Sequence, residues 1–184
     1  MAKRGLYHER QTLFQCGRHA LNNLLGERAF TTEELDSIAV SVAEIEGAPI
    51  PWLSLAHRWP ILGNHDANVI CMALQRKNLA ARFWDARDHK SLPDVLCDSG
   101  VIGLILNVVS RHAWMCPIKS MRGRHWKAVC RGAELGSPWV DSDSELPEPV
   151  PLPDNAAALA MLEAALEQGG HVLVVRRESS CQTY

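Results

Sequence analysis

The chain lacks any hydrophobic run long enough to cross a bilayer: its longest apolar stretch, residues 101–109, is interrupted by Asn107. No apolar segment follows the basic residues Lys3 and Arg4, so no secretory leader is expected and the expected location is cytoplasmic. Neither sign of charge dominates. With 19 Lys+Arg against 21 Asp+Glu and no long block of like charge, nucleic-acid binding through a broad basic face is disfavoured. Six cysteines are present, but none lies in a CxxC pair or a dense cluster, so thiols rather than disulfides are expected. Cys71 and Cys130 fall within apolar patterns that suit small hydrophobes, while Cys97 and Cys116 have no assigned role. Cys181 is followed by Gln182, Thr183 and Tyr184, a poor prenylation signal. Internal repeats and low-complexity segments are also missing.

What is present suits one self-folding domain over residues 1–184, with 47% apolar residues to fill a core. Ala20, Leu21, Leu24 and Leu25 recur at helical spacing ahead of Gly26, which predicts a helix over 16–25. Thr31 with Glu34 three residues on is a capping box, and Leu35, Ile38, Ala39 and Val42 continue that helix. Residues 47–60, with three prolines and two tryptophans, read as a connecting segment or arm. Asp66 caps a third helix over 66–76. Strands are then predicted at 80–84, 100–108, 125–130, 139–142 and 172–176, with helices at 92–98 and 154–168. Helices lead and strands follow, which gives an α+β domain with a helical lobe packed on a mainly antiparallel sheet.

Cys16 falls at the start of the first helix, where unpaired N–H groups and the peptide dipoles favour an anion such as a thiolate. Gln11, in the polar run His8-Glu9-Arg10-Gln11, can offer a carboxamide N–H beside it as an oxyanion donor. In Arg124-His125-Trp126-Lys127-Ala128-Val129-Cys130, strand alternation puts Trp126, Ala128 and Cys130 on one face and His125 on the other. A cysteine followed by a distant strand histidine and then an acid is the chain order of papain-like enzymes. Asp141 and Asp143 are two apart and share a face, so spacing leaves both open as the acid that orients His125. His19 lies three residues after Cys16 with no orienting acid in view, and is read as structural. His112 and Cys116 lie at i and i+4, but no further ligand is spaced to join them, so no metal is expected.

These segments resemble the Josephin family. Tyr7-His8-Glu9-Arg10-Gln11 followed by Cys16-Gly17-Arg18-His19-Ala20-Leu21-Asn22-Asn23 is similar to the opening of a Josephin domain. Asn64-His65-Asp66-Ala67-Asn68-Val69-Ile70, Phe83-Trp84-Asp85, Arg124-His125-Trp126 and Asp143-Ser144 resemble its later blocks, in order and across nearly the whole chain. The resemblance implies a papain-like cysteine protease fold over a core of about 7–177 and a deubiquitinase that cleaves after the ubiquitin C-terminus. It implies Cys16 as nucleophile, His125 as base, Asp143 rather than Asp141 as third member, and Gln11 in the oxyanion hole. Asn68 is a weaker candidate for substrate contact. Ubiquitin and its conjugates are the implied partners of a monomer with no cofactor and no membrane anchor. A ubiquitin-binding module with weak or no turnover, or a papain-like enzyme acting on another amide, are the alternatives. The His125–Asp143 interval runs about three residues longer than in relatives through the turn at 132–138, and residues 41–62 match the family poorly.

Overall fold

A computed structural model describes residues 7–12, 15–47, 65–85, 87, 91–110, 123–132 and 136–177. Helix α1 (Cys16–Leu25) closes on Gly26 in the left-handed conformation. Thr31 and Glu34 form both halves of the expected capping box at the start of α2 (Thr32–Ile45), and Asp66 caps α3 (Ala67–Gln75) through the N–H groups of Asn68 and Val69. A second capping box, Ser91 with Asp94, starts α4 (Leu92–Cys97), and Asp154 caps α5 (Asn155–Glu167).

The strands are β1 (Leu79–Phe83), β2 (Val101–Val109), β3 (Arg124–Arg131), β4 (Trp139–Ser142), β5 (Val150–Leu152) and β6 (His171–Arg177). They form one antiparallel sheet in the order β1-β6-β2-β3-β4-β5. Strand β5 was not expected. Pro151 at its centre, between Pro149 and Pro153, hides it from propensity, and it survives because it is an edge strand that needs hydrogen bonds on one side only.

Both faces of the sheet are covered. Helices α1–α3 pack on one face with Ile105, Trp126, Ala128, Cys130, Leu173 and Val175. Helices α4 and α5 pack on the other with Leu104, Leu106, Val129, Val172 and Val174. The parity of β2 breaks at its start: Val101 faces the α4–α5 layer and Ile102 the other. A register shift between Val101 and Gly103 accounts for this, since one irregular residue turns the preceding side chains over.

Two glycines let α1 lie close to the sheet. A Cβ on Gly103 would stand 2.3 Å from Leu24 Cδ1, and one on Gly17 would stand 3.1 Å from Ile70 Cδ1 and 3.6 Å from Trp126 Cδ1. The first turn of α1 is thereby pressed against the start of β3, next to His125. Residues 48–60 of the expected arm, the His112–Cys116 pair, the middle of the 132–138 turn and Cys181 lie outside the described residues.

Candidate active site

Cys16 opens α1, and its side chain is buried at 4% exposure. Gln15, at the cap position, makes no side-chain capping bond; its side-chain amide oxygen instead accepts from Arg18 Nε at 2.8 Å and Thr32 Oγ1 at 3.0 Å. No acidic residue occupies the first turn. The positive end of the α1 dipole is therefore not answered by a carboxylate within its own turn, which suits a sulfur anion.

His125 stands near the start of β3, and Asp143 immediately follows β4. Asp143 Oδ1 lies 2.7 Å from His125 Nε2 and accepts the Glu145 backbone N–H at 2.9 Å. The other side of the imidazole is hydrogen-bonded to the Cys16 side chain. Burial opposes the charged ring, but the hydrogen bonds and negative charge of Asp143 and Cys16 outweigh it and raise the His125 pKa to about 10. Burial likewise opposes the Asp143 anion, and the bond to His125 with its positive charge overcomes that and lowers its pKa to about 2. Both directions describe an imidazolium held against a carboxylate. The pairing separates the two aspartates that spacing left open: Asp141 Oδ2 is taken by Lys127 Nζ at 2.6 Å, while Asp143 meets the ring.

Gln11 is held at the same end of the sheet. Its backbone N–H donates to Ser144 O at 2.7 Å, and its side-chain oxygen accepts from Ser144 Oγ at 3.3 Å. With the oxygen so engaged, the amide NH₂ is the end left to donate. The segment carrying Gln11 is tied to α1 by a polar network. Glu9 N–H donates to Asn23 Oδ1 at 2.6 Å, and Asn23 Nδ2 reaches Glu9 O at 3.2 Å and Ser142 O at 3.1 Å. The Glu9 carboxylate meets His19 Nδ1 at 2.7 Å, Asn22 Nδ2 at 3.1 Å and the Tyr7 hydroxyl. The expectation that His19 lacks an orienting acid is therefore wrong, because Glu9 supplies one from an irregular segment whose placement no periodicity reveals. The structural reading of His19 fits this network, since the ring joins the Gln11 segment to the Cys16 helix.

Asn68 is not part of this group. Its amide donates to Glu46 Oε1 at 3.1 Å, beside a groove of about 400 Å³ bordered by Ile45, Met72 and Leu79. Cys130 differs from Cys16 in chemistry: burial drives its pKa up to about 12, and its thiol donates to Asn23 O at 3.4 Å. Cys71 is also raised, by burial and then by Asp66. Among the described residues, Cys16, Cys71, Cys97 and Cys130 are outside any disulfide.

Two groups beside the histidine went unnoticed in the sequence. Glu145 Oε1 lies 3.7 Å from His125 Nδ1, and Lys127 Nζ lies 4.0 Å from Asp143 Oδ2. Atoms of His125, Asp143 and Glu145 capable of binding a metal come within 4.8 Å of one another. The ring nitrogens are already committed to Asp143 and to the Cys16 side, so the cluster is arranged as an acid–base chain.

A family model described as Josephin matches residues 11–176. A Josephin-like protein of Drosophila melanogaster is 36% identical over 186 residues, which cover 99% of this chain and 79% of the relative. Josephin-2 of Homo sapiens is 38% identical over 178 residues, 94% of this chain and 87% of the relative. A Josephin-like protein of Arabidopsis thaliana is 33% identical over 168 residues, covering 88% of this chain and 44% of the relative.

Proposed function

Because the chain belongs to the Josephin family, we propose that it is a thiol-dependent deubiquitinase that hydrolyses isopeptide or peptide bonds after the ubiquitin C-terminus. Family membership supports the deubiquitinase-type role, and the α+β arrangement of helices on a six-stranded antiparallel sheet is consistent with the papain-like fold. The observation that carries the residue assignment is the continuous contact from Cys16 through His125 to Asp143, joining α1, β3 and the end of β4.

In this reading Cys16 attacks the carbonyl as the thiolate, and negative charge moves to the carbonyl oxygen. The Cys16 backbone N–H and the Gln11 amide hold that oxyanion. As the C–N bond breaks, His125 gives its Nδ1 proton to the departing amine, leaving ubiquitin as a thioester on Cys16. The ring, now neutral, takes a proton from water, which attacks the thioester and frees the thiolate. Asp143 keeps the ring oriented throughout and stabilises its charged form. Ubiquitin conjugates in the cytosol are the substrates this reading expects, met by a monomer with no cofactor. Among the described residues no helix is long and apolar enough to span a membrane.

A lysine-linked ubiquitin conjugate incubated with the protein tests the reading. Release of free ubiquitin that disappears in a folded Cys16→Ala variant supports it. Tight binding of ubiquitin with no release by the unaltered protein would favour a binding module instead.

A further inference from the structure

Lys127 is a buried charge that the reaction above does not use. It lies two residues from both His125 and Val129 on β3, and Val129 packs in the α4–α5 layer. Lys127 Nζ stands 2.6 Å from Asp141 Oδ2, 4.0 Å from Asp143 Oδ2 and 3.7 Å from Met161 Sδ of α5, with side-chain exposures of 9% for Lys127 and 3% for Asp143. The other carboxylate oxygen of Asp141 is buried with no hydrogen-bond partner among the described residues. A buried ion pair with an unsatisfied oxygen is a poor source of stability, because desolvation offsets the attraction. Its place beside the site is more telling. His125, Asp143, Lys127 and Asp141 form a row of alternating charge, with Asp143 between the ring and the ammonium.

Resting on the hydrolase reading above, we propose that Lys127, held by Asp141, is a positioning residue for hydrolysis of the thioester, where its ammonium loosens the grip of Asp143 on the ring proton so that His125 serves as a base for water. In the resting site, Asp143 and Cys16 both hold the proton on His125 against burial. Acylation removes the charge of Cys16 and leaves the carboxylate. A buried carboxylate at 2.7 Å favours the protonated imidazole, and a protonated ring accepts nothing from water. The Lys127 cation acts on the His125–Asp143 pair in the opposite direction. Burial raises the Asp143 pKa, and His125, the Glu145 N–H and then Lys127 lower it. With the ring neutral, the water oxygen forms the C–O bond and one water proton passes to Nδ1. The C–S bond then breaks with its electron pair on Cys16, and the carboxyl proton is lost to solvent. The described charged groups around the ring and Asp143 are Cys16 from α1, Lys127 from β3, Asp141 from β4 and Glu145 just beyond it. From α5, Met161 meets Lys127 and carries no charge.

The test uses the full chain and a ubiquitin bearing a small-thiol thioester at its C-terminus, a leaving group that departs without a proton. Acylation of Cys16 is then fast, and kcat reports hydrolysis of the enzyme thioester. Lys127→Met keeps the volume beside Met161 and removes the charge. Followed from pH 5 to 9, the acid limb of its kcat should move up by about one pH unit, which is a rate about tenfold lower below the limb, while plateau rates agree within about twofold. Lys127→Met combined with Asp141→Asn leaves neither partner as a lone buried charge, and it carries the test where the single variant fails to fold. Its limb should move in the same direction by less, since the opposing charge of Asp141 goes too. An equal fall at every pH would mean that the pair only supports the fold, and it overturns the proposal, as does a limb that stays in place or moves down. An unaltered protein that releases no ubiquitin from the thioester or from a lysine-linked conjugate removes the hydrolase reading itself and this inference with it.

Discussion

His19 and His125 are both buried, and each holds a carboxylate oxygen at 2.7 Å, Glu9 for the first and Asp143 for the second. By contact geometry the two pairs are alike, yet their rings are driven in opposite directions. For His19, burial and then the neighbouring Arg18 push the pKa below its usual value, and the pull of Glu9 does not compensate. Arg18 NH2 stands 3.1 Å from His19 Nε2, and the Thr12 backbone N–H donates into the same nitrogen at 3.2 Å. A nitrogen that accepts a hydrogen bond cannot carry a proton, so His19 is a neutral connector. Among the described residues, the groups beside the second nitrogen of His125 are the Cys16 side chain and Glu145. A histidine–carboxylate pair is thus defined by what lies on the other nitrogen, a donor in one region and anionic groups in the other.

The contrast can be broken most forcefully by removing each ring. His125→Ala should reduce turnover of the folded protein on the order of 10⁴-fold, as expected for loss of a base that acts with the nucleophile, and should also cost stability because buried Asp143 loses its partner. His19→Ala should act on stability alone. It should lower stability by about 1–3 kcal/mol by stripping partners from Glu9, and leave turnover of the folded fraction within about tenfold. Steady-state kinetics and urea unfolding on both variants would expose any exchange of roles.

Gln11→Ala tests what the His19 network supports. Loss of one oxyanion donor should lower kcat by about 10²-fold with a smaller effect on KM. A change confined to KM would remove Gln11 from the oxyanion hole.

The two aspartates sharpen the comparison further. Asp143→Asn should lower the His125 titration midpoint from about 10, as followed by NMR of the ring, and slow turnover by about tenfold to a hundredfold. Asp141→Asn should leave that titration nearly in place. Its cost is structural, about 3–5 kcal/mol, because Lys127 is 9% exposed and loses its partner.

The pH dependence of stability separates the two histidines as well, because they should have opposite signs. The folded pKa of His125 lies above its unfolded value of about 6.5, so its contribution is complete below that pH and is lost as pH rises through about 10. His19 has a folded value below the unfolded one, so its neutral burial favours the folded state above about pH 6.5 and costs stability as pH falls beneath it. Unfolding free energies of His125→Ala and His19→Ala measured against unaltered protein from pH 5 to 10 should therefore diverge in slope.

Much of the fold was legible because it rests on local signals. Thr31 with Glu34, Asp66 and the apolar spacing of Leu35, Ile38 and Val42 fix two helices without help from the rest of the chain. Strand alternation put Trp126, Ala128 and Cys130 on one face, and these three pack together in one layer while Val129 packs in the other. What escaped was whatever depends on pairing. Strand β5 is held by β4 against its own prolines, and the parity break in β2 comes from its register with β6. The site followed the same division. Cys16, His125 and Gln11 stood out by position and motif, and the resemblance, not the spacing, selected Asp143. Glu9, Glu145 and Lys127 were invisible as site neighbours. Glu9 lies in an irregular segment, Glu145 lies beyond the last residue of β4, and Lys127 is a charge that the alternation of β3 would place anywhere along its second face.

The most direct test is a ubiquitin bearing a C-terminal electrophile, with the captured product mapped by mass spectrometry. A single adduct on Cys16 is expected, retained in Asp143→Asn and absent in Cys16→Ala. An unmodified chain, or an adduct on Cys71, Cys97 or Cys130 in place of Cys16, would contradict the pairing of Cys16 with His125 as the working centre of this molecule.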